Sequence, residues 1–108
     1  MLNKIQHGDP WQDTATHATL AKITIAAVAG SQHYITDVSV SSDKSGSILL
    51  IKNGTTVIWQ VQIDADFYEH SFNVPLKSSV GALLSVEIDG TSACKANASG
   101  ITLKGKIG

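Results

Sequence analysis

The sequence predicts an all-β domain: an antiparallel two-sheet sandwich, jelly-roll-like, with about seven or eight strands and an extended N-terminal arm. Three observations predict it. From residue 19 onward, short apolar runs alternate with turn residues at the roughly 8 to 12 residue spacing of sandwiches and barrels. The segment Ser47 to Ile63 carries a two-residue hairpin signal, Asn53-Gly54, between two apolar arms. No segment beyond residue 18 repeats its apolar residues at the helical period.

Residues 1–18 are read as the arm and residues 19–108 as the sandwich domain. The arm holds Gly8, Asp9 and Pro10 and has no sustained period; Trp11 is its one large apolar group. Trp11 either anchors the arm on a neighbouring molecule or caps one end of the domain's own core. Leu20, Ile23, Ile25 and Val28 mark a first strand that stops at Gly30-Ser31. A second runs from His33 to Ser41 with Tyr34, Thr36, Val38 and Val40 on one face. Ser41 to Gly46 is a polar loop.

The hairpin follows. Asn53-Gly54 suits a type I′ turn, which needs positive φ at both central residues. In its second arm Val57, Trp59, Val61 and Ile63 alternate with Thr56, Ile58, Gln60 and Gln62, so the first set is expected inside. Asp64-Ala65-Asp66 makes a corner. Phe67 to Val74 is the next strand, with Tyr68, His70, Phe72 and Val74 on one face, ended by Pro75 because proline cannot donate to a ladder. After the loop at Ser78, Ser79 and Gly81, a strand from Ala82 to Ile88 turns at Asp89-Gly90. Thr91 to Ala98 and Ile101 to Leu103 give one or two last strands, broken at Gly100.

A chain of 108 residues has room for one core, and buries roughly two-thirds of its unfolded surface. Charged residues make up 16%, against roughly 25% in ordinary soluble domains. Such a surface fits a protein covered by partners, and equally a small neutral β domain. The net charge is −1 and every Lys stands alone, so no basic face exists to displace counterions from nucleic acid. Leu20 to Gly30 is the longest apolar stretch, far short of the ~20 residues that span a bilayer. Met1 to Pro10 lacks the layout of a signal peptide. Synthesis in a cytoplasm is therefore expected.

The chemistry-bearing residues are scattered. His7, His17, His33 and His70 stand singly, where zinc needs three or four ligands together. Asp64 and Asp66 offer too few oxygens for calcium and read as a solvated corner. Glu69 and Glu87 are expected on outward faces of separate strands, not across a cleft. Cys94, the single cysteine, rules out an internal disulfide and reads as a small buried thiol. Asn53 and Asn97 begin glycosylation-type triplets, but no secretion signal accompanies them. Neither an enzyme, a metal nor a cofactor is expected.

The run from His33 to Trp59 resembles a family of small virion proteins of tailed bacteriophages. The features are His33-Tyr34-Ile35-Thr36, a serine-rich loop, Leu50-Ile51-Lys52-Asn53-Gly54 and Ile58-Trp59. Phe72-Asn73-Val74-Pro75-Leu76-Lys77, then Gly81 and Ala82-Leu83, extend the likeness, as does Ala96 to Gly100; Ile101 departs from it by replacing an aromatic residue. The likeness covers roughly residues 30–103 and leaves out the arm.

The resemblance implies a capsid decoration (cement) protein on the virion surface, whose partner is the major capsid protein. A tail or neck accessory protein is the near alternative, and a carbohydrate-binding sandwich the rival from another class. Self-association as a dimer or trimer would cover neutral surface. An exposed sheet edge would accept a neighbour's strand. Leu2, Ile5, Pro10 and Trp11 are the expected partner contacts.

Overall fold

The computed structural model describes residues 8–64 and 66–104. Eight strands succeed one another: β1 (Asp9–His17), β2 (Leu20–Ile25), β3 (Ser31–Ser42), β4 (Ser47–Asn53), β5 (Thr56–Ile63), β6 (Phe67–Lys77), β7 (Leu84–Asp89) and β8 (Cys94–Lys104). They form two antiparallel four-stranded sheets. Sheet A has the order β1-β8-β3-β6 and sheet B the order β2-β7-β4-β5. Only β4 and β5 follow each other within one sheet; every other connection crosses between sheets.

The pairing is nested. Asn53 faces Thr56, Ser41 faces Phe67, Leu20 faces Asp89 and Asp9 faces Thr102. Each pair is almost equidistant from the turn at Gly54–Thr55. The chain is thus one long hairpin, doubled back at its middle and rolled into a sandwich, which is the jelly roll expected from the sequence.

Period-2 alternation puts Ala21 and Ile23 of β2, Leu49 and Ile51 of β4, and Leu84, Val86 and Ile88 of β7 on the inner face of sheet B. Sheet A answers with Ile35, Val38 and Val40 of β3 and the small Ala96 and Ala98 of β8. On the side where the edge strands β5 and β6 approach, Trp59 crosses between the sheets. Its ring lies 5.1 Å from Phe72, edge to face, and 5.4 Å from His70.

Several local expectations are corrected. Residues 9–17 are not an arm: they form β1, paired along its whole length with β8. Only Trp11 and Ala15 are partly buried there, so an edge strand at the sandwich corner shows almost no alternation. Residues 1–7 lie outside the described ones. The first core strand ends at Ile25, leaving Val28 in an exposed loop.

Two β-bulges overturn face assignments. In β3, Thr36 is an extra residue between Ile35 and Asp37. Ile35, not Tyr34 or Thr36, faces the core before it, and Val38 and Val40 face the core after it. In β5, Ile58 is the extra residue, so Val57 turns outward and is 43% exposed. One inserted residue inverts the facing of everything beyond it.

The β4–β5 turn lies one residue later than expected. Gly54 has φ +63° and no residue other than glycine has positive φ among the described residues. Positive followed by negative φ is the type II′ pattern, not I′. Pro75 does not end β6, an edge strand, which departs from β3 over Phe72 to Pro75 and rejoins it at Leu76. Val74 sits on that excursion, 79% exposed rather than aligned with Tyr68, His70 and Phe72.

Gly100 does not break β8. It lets backbones meet: a Cβ there would lie 1.8 Å from the Tyr34 carbonyl oxygen and 2.7 Å from Trp11 Cζ2.

Candidate functional site

The outer face of sheet A carries a polar surface that spans all four strands. Cross-strand register builds two rows, each drawing one residue from all four strands. One row is Gln12, Ser99, Asp37 and Ser71; the next is Thr14, Asn97, Ser39 and Glu69. The alternation that sends Val38, Val40, Ala96 and Ala98 inward sends these short polar side chains out.

Asp37 is the hub. Ser71 Oγ donates to its Oδ1 at 2.6 Å and Thr36 Oγ1 to its Oδ2 at 2.9 Å. The Ser71 bond, then the Thr36 bond, holds the carboxyl below its usual range, against a smaller opposing effect of desolvation. The bulge at Thr36 is what lets that hydroxyl reach its own neighbour. In the second row Thr14 Oγ1 donates to Asn97 Oδ1 at 2.7 Å and Asn97 Nδ2 to Ser39 Oγ at 3.4 Å. The rows flank a shallow depression of about 180 Å³. Beyond them lies Phe67, opposite Ser41 and 55% exposed, an aromatic ring open to solvent.

A second depression, of about 720 Å³, opens at the end formed by the β1–β2, β3–β4, β5–β6 and β7–β8 connections. Asp43, His17 and Cys94 in its lining are engaged in holding loops. Asp43 accepts from the Thr91 and Ser92 amides and from the Ser92 hydroxyl, which keeps its carboxyl well below the usual range. His17 Nδ1 accepts from the amides of Thr19 and Leu20. Cys94 is buried, donates to the His17 carbonyl oxygen at 3.3 Å, and has its thiol pushed up chiefly by burial. A raised thiol lacks the thiolate character a nucleophile needs.

His33, Glu87 and Glu69 lie apart from both depressions or at their rim, each on a different strand. His33 is buried, with Nδ1 2.8 Å from Thr102 Oγ1 and Nε2 2.8 Å from the Ala26 carbonyl oxygen. Glu87 lies on the outer face of sheet B, as alternation requires, yet is only 7% exposed. Lys52 and Lys22 cover it, with Nζ atoms 3.1 and 3.6 Å from Oε2. Glu69 is exposed on sheet A. Among the described residues no three His, Cys, Asp or Glu side chains come together in a metal-holding group, and no helix is long and apolar enough to cross a membrane.

Of the four expected partner contacts, the structure places Pro10 and Trp11. Leu2 and Ile5 lie outside the described residues. Pro10 is exposed on β1, opposite Ile101, where an edge strand tolerates its missing N–H. Trp11 is partly buried against the domain's own core, with its Nε1 buried and unpaired among the described residues. It caps that core rather than standing free as an anchor. The residues missed by sequence reasoning are those of the two rows other than Glu69, which was expected to face outward. Their signal was present in the small polar residues alternating through Asp37, Ser39 and Ser41, and through Lys95, Asn97 and Ser99.

No protein-family model matches the chain, and no curated protein matches it. Among solved structures, it is similar to PirA, at 12% identity over 89% of this chain and 98% of that one, with a TM-score of 0.46. It is also similar to PliG of Aeromonas hydrophila, a periplasmic inhibitor of g-type lysozyme, at 11% identity over 89% of each chain and a TM-score of 0.44. A third is TmCBM61, solved with β-1,4-galactotriose, at 10% identity over 88% of this chain and 68% of that one, with a TM-score of 0.42.

Proposed function

We propose that this chain is a non-catalytic attachment protein of a tailed-phage virion, a capsid decoration protein that holds the major capsid protein through the outer face of sheet A. The observation that carries this reading is the pair of polar rows. They present short Ser, Thr, Asn and Gln side chains across four strands, with Asp37 fixed at the centre. Such a face stays soluble when bare, and offers both donors and acceptors to a partner's surface. Each attachment is weak, and repetition on a symmetric shell raises the effective concentration of the next.

Phe67, exposed at the end of the same face, supports a second reading as a carbohydrate-binding module, with the ring as a stacking surface beside the polar rows.

Co-sedimentation of the full chain with undecorated capsids of the phage that encodes it, followed by cryo-EM, tests the first reading. Regular density on the shell is expected, lost in Ser39→Arg/Ser99→Arg. No binding by the wild-type chain overturns decoration, and binding that survives the double substitution overturns the sheet-A face. Binding to a glycan array that is lost in Phe67→Ala would favour the second reading.

A further inference from the structure

The four edge strands of this sandwich are not equally defended. Edges expose unpaired amides and carbonyls, and proteins blunt them with charge, proline or irregularity. β1 carries Asp9, Pro10 and Asp13. β2 is six residues long and carries Lys22. β6 carries Glu69 and Pro75 and leaves its neighbour over Phe72 to Pro75. β5, Thr56 to Ile63, has no charge, no proline and no glycine in eight residues. Its one irregularity, at Ile58, lies near its start and leaves Trp59 to Ile63 in regular register with β4.

We propose that β5 pairs antiparallel with β5 of a second copy of this chain, joining two B sheets into one eight-stranded sheet about a twofold axis. The sequence of the edge fits itself. With Val61 of one copy opposite Val61 of the other, Gln60 faces Gln62 twice on the outer surface and Trp59 faces Ile63 twice on the inner. A primary amide both donates and accepts, so a Gln–Gln pair is self-complementary. Trp59 with Ile63 is an aromatic–aliphatic cross-strand pair of the stabilising kind. No like charges meet, because the strand has none. The edge is also held in place beforehand: Trp59 is fixed from sheet A by Phe72 and His70, which lowers the ordering cost of association. This inference stands on β5 alone and is independent of what the outer face of sheet A binds.

Sedimentation velocity of the full chain across roughly 10–200 μM tests it. The wild-type chain is expected to reach twice its 11.4 kDa mass. Gln60→Lys/Gln62→Lys, at two exposed positions, places lysines opposite lysines and is expected to weaken the dimer by about a hundredfold or more. Thr24→Lys, on the opposite edge of the same sheet, is expected to leave it intact. Amide exchange within Trp59 to Ile63 is expected to slow as concentration rises. A wild-type monomer throughout, or a dimer that survives the double lysine substitution, would overturn the proposal.

Discussion

Gly100→Ala tests the closeness of β3 and β8 at the bulge. The added Cβ would sit 1.8 Å from the Tyr34 carbonyl oxygen, where ordinary contact begins at 3.4 Å, so backbone must move by about 1.6 Å. Overpacking of a fitted site costs ~1–3 kcal/mol, and more when backbone is the obstacle. Prising the strands apart adds about 1 kcal/mol for each ladder bond lost. Fewer unfolded conformations give back ~0.4–1 kcal/mol. The net loss is about 3 kcal/mol, or about 12 °C in Tm for a domain of this size. Gly81→Ala is the control. It has φ +77° and nothing within 4 Å of the added methyl, so only the left-handed backbone costs, at ~1–2 kcal/mol. Thermal and urea unfolding of both variants supply the comparison. A Gly100→Ala protein that melts within about 4 °C of wild type, or no lower than Gly81→Ala, refutes the close approach.

The core and its charges give three further expectations. Leu49→Ala, at a fully buried position, is expected to cost ~2–5 kcal/mol, whereas outward-turned Val57→Ala should cost under about 1 kcal/mol; equal losses in urea unfolding would contradict the β5 bulge. Asp37, Asp43 and Asp89 all have folded-state carboxyls held low by hydrogen bonds, the Asp89 carboxyl also by Lys44 and despite its desolvation. Their stabilisation is complete above the ordinary value near 4 and is lost as pH falls toward the depressed ones, so Tm should drop below about pH 4, less steeply in Asp43→Asn. Cys94 should react with a thiol reagent far more slowly in the native protein than in urea; equal rates would mean that the thiol is not buried.

Legibility in the sequence followed the length over which a pattern stayed in phase. β4 and β7 were found, although β7 begins at Leu84 rather than Ala82 and runs on to Asp89, because Leu84, Val86 and Ile88, and Leu49 and Ile51, keep strict alternation in a sheet interior. β1 was invisible because an edge strand at a corner partly buries only Trp11 and Ala15, and its other inward positions, Asp13 and His17, stay wet. The faces of β3 and β5 were misread for a different reason. A bulge is a property of two strands and their register, so neither Thr36 nor Ile58 announces it from one strand alone. The polar rows suffered a third handicap. Ser, Thr and Asn on a sheet face carry no motif, and only the register that aligns Thr14, Asn97, Ser39 and Glu69 turns them into a surface.

The nested pairing about Gly54–Thr55 bears on the order in which the molecule assembles. Once β4 and β5 have met, β3 and β6 need close only the short connections between them, and β2 with β7, then β1 with β8, follow on the same terms. Starting instead from β1 and β8 would close a loop holding most of the chain, at a greater entropy cost. The sandwich can therefore zip outward from its middle, with few long loops to close until β3 meets β8 and β4 meets β7 in the roll. On this route, substitutions in the β4–β5 turn should slow refolding, whereas those in β1 should chiefly speed unfolding. High φ-values in β1 with low ones at the turn would reverse that order.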